Sequence, residues 1–306
     1  MLQISVIICT HNPRPDYLQR VLDGLKKQVL PMGHWELLMV DNASLECLSQ
    51  AWDLSWHPCA RHIRENELGL TYARRRGFHE STGSLLVFVD DDNVLNPDYL
   101  RNVLFISQTF PQIGIWGGSI KGVFEVEPPL VLKSRLGLLA VGEITNDDWG
   151  TIKGFNAACP PGAGIAVRKH IIHKYYENGN SSAIQMLLGR RGNTLTSGED
   201  VDLAWFSCEI GFGMGRFKQL CLEHLISAKR LTLDYFERLV EGGCYSNVFL
   251  HQRHNLPLPE IPTTILSKLR SWKQRVCATQ AERRLSLAAE RGNRRGLADL
   301  ARGIGQ

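Results

Sequence analysis

The chain has 306 residues, of which 43% are hydrophobic and 22% charged, and its formal net charge is +4. This length allows a large core in one or two domains, and the composition is that of an ordinary globular protein. So mild a charge argues against a nucleic-acid partner. The basic character is concentrated in residues 265–306, which carry ten Lys and Arg against three acids.

Cysteine usage and hydropathy indicate the compartment. The eight cysteines are scattered and form no CxxC pair, which is typical of buried thiols in a reduced compartment. The N-terminus runs directly into a strand pattern, and no apolar run approaches the ~20 residues that span a bilayer. We therefore expect a cytoplasmic protein, and contact with the inner face of the membrane stays open.

Strand and helix patterns alternate over the first 118 residues. Apolar runs predict strands at residues 4–9, 37–40, near 62–63, 85–89 and 113–116, the last closed by Gly117 and Gly118. Helical spacing predicts helices that begin at Pro15, near Leu70 and at Pro97. This alternation predicts an α/β fold with a mainly parallel sheet covered on both faces.

The second half is less regular. Residues 178–198 are rich in Gly, Ser and Asn and predict a long mobile loop, which either closes over a ligand with Arg190 and Arg191 or only connects. Helices are predicted over residues 200–210 and 232–254, and a strand over 217–222. Residues 256–306 form a basic amphipathic tail with Ile265, Leu266, Leu269, Trp272 and Val276 at helical spacing. This tail is an interfacial helix on anionic lipid, a solvated helix or a docking segment.

Polar residues stand directly after three of the predicted strands. Thr10 and Asn12 follow the first, Asp41 the second, and Asp90 to Asn93 the fourth. In open α/β sheets the carboxyl ends of the strands form the ligand crevice. These polar groups are therefore predicted to converge on a ligand.

Three adjacent carboxylates, Asp90, Asp91 and Asp92, give the strongest chemical signal. They repel one another unless a cation or hydrogen bonds compensate. Mg²⁺ and Mn²⁺ accept carboxylate oxygens together with phosphate oxygens of a substrate. The pattern predicts a divalent-metal site, and a solvated acidic turn before the helix at Pro97 is the alternative.

Three further candidates each have a structural alternative. Glu199 and Asp200 open a predicted helix, where acids either cap the helix or act as a general base. His224 follows the last predicted strand and is either structural or a metal ligand. Trp149 either stacks on a sugar ring or is a half-buried aromatic residue.

Five segments, taken in order, resemble family 2 glycosyltransferases of the GT-A fold. They are ISVIICTHN, MVDNAS, NELGLTYARRRG, FVDDDN and GEDVDL, and the resemblance covers residues 3–255. It implies the nucleotide-diphospho-sugar transferase architecture, with a nucleotide-sugar-binding half at 1–118 and a smaller catalytic and acceptor-binding half at 119–255. The tail at 256–306 lies outside it.

The resemblance also implies roles for single residues. Nucleotide contacts fall on Thr10, Asn12, Asp41, Arg74 and Asp90. A Mn²⁺ or Mg²⁺ ion falls on Asp92 and Asp90, with His224 as a further candidate. Asp200 matches the base of an inverting displacement, supported by Glu199. Gly162, Ala163 and Gly164 resemble the loop against which the donor sugar lies.

The chain departs from the family at Arg75, which stands where asparagine is usual and is followed by Arg76. The added charge either serves the diphosphate or is solvated helix surface.

Together these observations predict an inverting, metal-dependent glycosyltransferase. Its donor would be a UDP-, GDP- or dTDP-sugar, and its acceptor a glycan or lipid-linked hydroxyl in polysaccharide or glycolipid biosynthesis. A dinucleotide-dependent dehydrogenase is disfavoured because no Gly-rich turn follows the first strand. A sugar nucleotidyltransferase and a non-catalytic nucleotide-sugar or glycan-binding module stay as alternatives.

Overall fold

The computed structural model describes residues 2–177, 182–190, 192, 194–260 and 278–305. The chain divides into two compact units that interleave along the sequence. The first contains the described residues of Met1–Val123, Ala140–Gly179 and Glu199–Ile226, and the second those of Phe124–Leu139, Asn180–Gly198 and Ser227–Gln306. The division predicted at residues 118 and 255 stays a prediction.

The strands of the described chain pair into one sheet of nine strands. They are β1 (Ile4–Thr10), β2 (Trp35–Asn42), β3 (Ala60–Glu65), β4 (Leu85–Asp90), β5 (Asn93–Leu95), β6 (Ile113–Phe124), β7 (Asp148–Gly150), β8 (Ala166–Arg168) and β9 (Gly213–Ile226). Their order is β3-β2-β1-β4-β8-β6-β9-β5, and β7 pairs with β9 outside this path. The core lies on β1, β2 and β4, whose apolar residues are almost wholly buried.

The α/β fold is confirmed, but the sheet is mixed where a mainly parallel one was expected. Strands β3, β2, β1 and β4 are parallel neighbours. Strand β8 pairs antiparallel with β4 and β6, and β9 pairs antiparallel with β5 and β7. Strands β5, β7 and β8 have three residues each. Runs this short leave no periodic signal in the sequence.

Helices connect the strands and form much of the second unit. Along the chain they are α1 (Pro15–Lys26), α2 (Leu48–Ala51), α3 (Leu70–Glu80), α4 (Tyr99–Thr109), α5 (Leu130–Lys133), α6 (Lys169–Glu177), α7 (Ser182–Leu188), α8 (Glu199–Glu209), α9 (Leu233–Arg253) and α10 (Gln280–Ala301). Helix α7 occupies part of the segment predicted as a mobile loop. Helix α4 begins two residues after Pro97.

Strand β6 does not stop at Gly117 and Gly118, as the sequence suggested, but continues to Phe124. A Cβ atom on Gly118 would lie 1.9 Å from the carbonyl oxygen of Leu220 in β9. The glycine therefore permits a close approach of neighbouring backbone within the sheet, which is a common reason for glycine inside a strand.

Helices α9 and α10 pack along each other in the second unit. Gly292 on α10 allows the approach, since a Cβ there would lie 2.3 Å from the Glu241 carbonyl oxygen. Arg284 forms ion pairs with Asp234 and Glu237 of α9. This cation of the predicted tail is thus already engaged by acids. The apolar tail residues Ile265, Leu266, Leu269, Trp272 and Val276 lie outside the described residues.

The structure bears on two expectations about the compartment, which concern membrane-spanning helices and the burial of the cysteines. Within the described ranges, none of the helices has the length and hydropathy to cross a membrane. The seven described cysteines form no disulfide, but Cys47 is exposed and the other six are only partly buried.

We predict that Gly118→Ala destabilises the fold by about 3 kcal/mol, because the added methyl overlaps backbone that cannot rotate away. Urea unfolding measures the change. Gly33→Ala is the matched control, since a Cβ there meets no atom within 4 Å, and it should stay within ~0.5 kcal/mol of wild type. Equal stability of the two variants would contradict the close approach.

Candidate active site

The parallel register brings the polar ends of three strands together. Thr10 stands opposite Asp41 across β1 and β2, and Cys9 opposite Asp90 across β1 and β4. The Thr10 hydroxyl donates a hydrogen bond to the Asp91 carboxylate. The predicted convergence of these groups at one edge of the sheet is therefore observed.

The Asp41 carboxylate is held on all sides by its own surroundings. It accepts the backbone N–H groups of Ser44 at 3.0 Å and Leu48 at 3.4 Å, and Arg64 Nη1 donates to it at 2.5 Å. Burial alone would raise the pKa of Asp41, but the hydrogen bonds from Ser44 and Arg64 outweigh burial and lower this pKa. Asp41 is therefore a fixed anion at neutral pH.

Asn12 lines a cleft of about 860 Å³ beside α1. It adopts a left-handed conformation, with φ of 48°. Its backbone N–H donates to Ser44 Oγ, and its side-chain oxygen accepts from the Leu45 N–H, both at 2.9 Å. These bonds join the ends of β1 and β2 at the mouth of the cleft.

The three successive aspartates have different neighbours. Asp90 Oδ1 lies 3.9 Å from Arg74 Nη2, while Asp91 accepts from Thr10. Asp92 Oδ2 lies 3.3 Å from His224 Nε2. The mutual repulsion of the carboxylates is thus relieved by separate partners.

His224 reaches Asp92 through the pairing of β5 with β9. Asn93 stands opposite His224 in this antiparallel pair, and the Leu225 N–H donates to the Asp92 backbone oxygen at 2.8 Å. His224 is 5% exposed. One carboxylate oxygen and one imidazole nitrogen are consequently held side by side.

This pair fits part of the coordination shell of a divalent cation. Within the described ranges, no group of three or more His, Cys, Asp or Glu residues is arranged as a complete metal site. Mg²⁺ sites commonly use one or two protein ligands and complete the shell with water and substrate phosphate. Imidazole beside carboxylate also suits Mn²⁺. Asp92 and His224 could thus hold a metal whose other ligands come from a diphosphate.

Arg74 is buried between acids that come from two different elements. Its Nη1 lies 3.7 Å from Glu199 Oε2 at the start of α8, and its Nη2 faces Asp90 at the end of β4. Burial alone would lower the pKa of Arg74, but the charges of Glu199, Asp90 and Asp200 outweigh it and raise this pKa. Arg74 therefore links the strand-end acids electrostatically to the acids of α8.

Glu199 and Asp200 are placed differently at the start of α8. Glu199 is buried and accepts a 3.3 Å hydrogen bond from the Thr71 hydroxyl. Burial raises the pKa of Glu199, although Arg74 and this hydrogen bond oppose the rise. Asp200 is only partly buried. Gly198, with φ of 136°, supplies the left-handed turn that starts the helix.

The turn formed by Gly162, Ala163 and Gly164 lies against Asp200. A Cβ on Gly162 would sit 3.0 Å from Asp200 Oδ2, so any side chain there would crowd the carboxylate. Gly164 has φ of 69°, and its carbonyl oxygen accepts the Tyr99 hydroxyl at 2.7 Å. The turn of small residues at Gly162 and the partly exposed carboxylate of Asp200 are thus in direct contact.

Of three other sequence candidates, one lies away from these acids, one belongs to the second unit and one is not described. Trp149 stands opposite Gly215, nine residues from His224 along β9, which is roughly 30 Å. The Trp149 ring contacts Phe110. Arg190 belongs to the second unit, and Arg191 lies outside the described residues.

Two residues that organise the site were not recognised from the sequence. Arg64 stands opposite Asp41 across β2 and β3, and Thr71 donates to Glu199 from the first turn of α3. Arg64 could have been recognised by aligning the weakly apolar strand β3 with β2, because their parallel register places it opposite Asp41. No local pattern singles out Thr71, because its partner lies 128 residues away.

Sequence comparison finds the same family as the motifs. Residues 5–136 match the model for "Glycosyl transferase family 2". Among curated proteins, the chain is similar to Glycosyltransferase AglE of Haloferax volcanii, with 28% identity over 122 residues. That alignment spans 39% of this chain and 39% of AglE.

Structural comparison supports the same fold at low sequence identity. Residues 1–349 of S. aureus TarS align with 99% of this chain and 83% of their own length, at a TM-score of 0.51 and 13% identity. Mannosyltransferase PcManGT from Pyrobaculum calidifontis, in complex with GDP-Man and Mn²⁺, aligns with 98% of this chain and 75% of its own, at a TM-score of 0.59 and 16% identity. Residues 5–136 of this chain thus match glycosyl transferase family 2, and the chain has the GT-A fold of these structures.

Proposed function

We propose that this protein is an inverting, metal-dependent glycosyltransferase. It transfers a sugar from a nucleoside-diphosphate sugar to a hydroxyl of a glycan or lipid-linked acceptor. The observation that carries the proposal is Arg74, buried between Asp90 and Glu199. It joins the strand ends, where a nucleotide is expected, to the helix that carries the candidate base.

The nucleotide half of the proposal rests on the ends of β1, β2 and β4. The nucleobase and ribose of the donor are contacted by Thr10, Asn12 and Asp41. Their hydrogen bonds hold these side chains in place, so that they can orient the nucleotide. Proteins of the same fold bind such ligands: PcManGT holds GDP-Man with Mn²⁺, and TarS holds UDP.

Asp92 and His224 would hold the divalent ion, with Asp90 nearby. The ion supplies stabilisation of the negative charge that develops on the departing diphosphate. The residues of the chain keep this region acidic before the ligand binds, so that a cation is favoured there.

Asp200 is the proposed base, and it accepts the proton of the acceptor hydroxyl during a single displacement. Its partial exposure leaves it open to an acceptor, while Gly162 permits a donor sugar to lie against backbone. Glu199 acts through Arg74 and does not itself face solvent. Attack from the side opposite the leaving diphosphate inverts the anomeric carbon.

We predict that Asp92→Ala abolishes metal-dependent binding of the donor. Wild-type protein should be stabilised by about 2.7 kcal/mol at a donor concentration 100-fold above Kd, with Mn²⁺ present. The Asp92→Ala variant and EDTA should both remove this effect. Thermal shifts with UDP-, GDP- and dTDP-sugars measure this stabilisation and identify the nucleobase of the donor.

Asp98→Ala is the matched control for this experiment, because Asp98 forms an exposed ion pair with Arg101. It should bind donor like wild type. Absence of binding by any nucleotide-sugar with any metal would reject the proposal. Donor binding without hydrolysis or transfer would favour a non-catalytic binding module, and nucleotidyl transfer would favour a nucleotidyltransferase.

We predict that Asp200→Asn retains donor binding and loses turnover by about 10²- to 10⁴-fold, because the amide accepts no proton at neutral pH. Slow transfer of the sugar from the bound donor to methanol, followed by NMR of the methyl glycoside, measures both the rate and the anomeric configuration, because a glycoside does not mutarotate as a free sugar does. Glu209→Gln, at the other end of α8, is the control and should keep the wild-type rate. A methyl glycoside with retained configuration would exclude inversion.

We predict that Arg74→Met destabilises the protein by about 3 kcal/mol at neutral pH, since it leaves buried acids without their cation. Arg74 opposes the raised pKa of Glu199, so its removal raises that pKa further. The folded variant then binds more protons than folded wild type, and its deficit shrinks as the pH falls toward the ordinary pKa of glutamate.

Urea unfolding at pH 5 and pH 7.5 measures this dependence. Arg76→Met is the control, because Arg76 forms a surface pair with Glu80 and should contribute less than ~1 kcal/mol. A deficit for Arg74→Met that is the same at both pH values would show that the loss comes from packing alone.

A further inference from the structure

A second pocket lies between α3 and α6, within the first unit. Its volume is about 510 Å³, which is room for a small ligand. The residues that line it are Arg75, Phe78, His79, Lys169, His173, Tyr176 and Glu177. None of them lies in the donor, metal or base site described above, although the sequence left open that Arg75 serves the diphosphate.

The pocket has a positive character that its own acid does not cancel. Arg75 and Lys169 contribute a guanidinium and an ammonium group to the lining. Glu177 is the acid of the lining and forms a 2.9 Å ion pair with His173 when that histidine is protonated. Burial, followed by the charges of Arg75 and Arg76, lowers the pKa of His79, so His79 is a neutral N–H donor at pH 7.

Aromatic packing gives the pocket a firm floor. The ring of Phe78, which is 5% exposed, contacts His79, His173 and Tyr176 at centroid distances of 5.0, 6.1 and 5.4 Å. Arg75 Cζ lies 5.9 Å from the centroid of the Tyr176 ring. Lys169 Nζ donates to the Ser81 carbonyl oxygen at 2.5 Å, which fixes the ammonium at the end of α3.

We propose that this pocket binds a phosphate group. An arginine fork, an ammonium and imidazole N–H donors around one concavity match the several acceptor oxygens of a phosphate. The group is either free, as inorganic phosphate or a small phosphomonoester, or it is the headgroup of an anionic lipid. The chemistry recognised is the same in both cases.

This site is separate from the donor site, although adjacent arginines belong to the two. Successive residues of a helix point about 100° apart. Arg74 therefore faces Asp90 and Glu199, whereas Arg75 faces Tyr176 and the pocket. Phosphate binding here needs neither Asp92 nor a divalent metal.

Isothermal titration calorimetry with inorganic phosphate, in the presence of EDTA, tests the proposal on the full chain. We expect saturable binding of one phosphate per chain, about tenfold or more weaker in Arg75→Gln. Arg76→Gln is the matched control, because it removes the same charge from the next residue, which does not line the pocket. It should change Kd by no more than about twofold.

Co-sedimentation with phosphatidylcholine vesicles, with and without phosphatidic acid, separates the two sources of phosphate. Vesicle binding that requires phosphatidic acid and Arg75 would support a lipid headgroup, while titration binding without vesicle binding would support a free phosphate. Absence of both, or an equal loss in Arg75→Gln and Arg76→Gln, would overturn the site. Asp92→Ala should bind phosphate normally, so this result is independent of whether donor binding is found.

Discussion

The buried charge of Arg74 is the constraint on which the arrangement of the first unit depends. A guanidinium with a side-chain exposure of 9% is costly to bury unless acids face it. Asp90 and Glu199 supply those charges from β4 and α8, and they would repel each other without the cation. The end of the strand and the start of the helix are therefore compatible only with Arg74 between them.

The position of Arg74 depends in turn on how closely α3 approaches the sheet. A Cβ on Gly77 would lie 2.5 Å from a methyl group of Ile7 in β1, so the helix rests directly on the strand at this turn. Arg74 is one turn earlier on the same face and is held at the same depth. The packing of the α3 backbone on β1 thus sets the position of Arg74, and Asp90 and Glu199 lie where they can pair with it.

Strand register fixes the relative positions of the neighbouring residues, as Arg74 fixes those of Asp90 and Glu199. Asp41 stands beside Thr10 on one side and Arg64 on the other, so one parallel stagger fixes all three. The antiparallel pairing of β5 with β9 brings His224 to Asp92 in the same way. These contacts join residues far apart in sequence without a dedicated loop.

These two mechanisms explain how much the sequence could predict. Strands β1, β2 and β4 were predicted because they are continuous apolar runs, and the acids were recognised because they directly follow such runs. Helix α7 was missed because the Gly-, Ser- and Asn-rich residues on either side of it outweighed its own short apolar run, SAIQMLL. The position of Trp149 follows from the pairing of β7 with β9, and a three-residue strand gives no sequence signal for its partner. Gly118 was predicted to end a strand because a glycine often ends one. It is required instead by a close backbone oxygen of another strand, and such a tertiary contact leaves no signal in the local sequence.

The presence of two adjacent arginines, Arg74 and Arg75, also has a physical explanation in the geometry of α3. Arg74 lies on the buried face with Ala73 and Gly77, and its charge is balanced within the core. Arg75 lies about 100° further around the helix, where it is exposed and packs over Tyr176. An arginine at this position therefore adds charge to a different surface from the one that Arg74 occupies. The ion pairs of Arg74 with Asp90 and Glu199 do not involve Arg75, so one helix carries a buried charge for the core and a separate charge on its outer face.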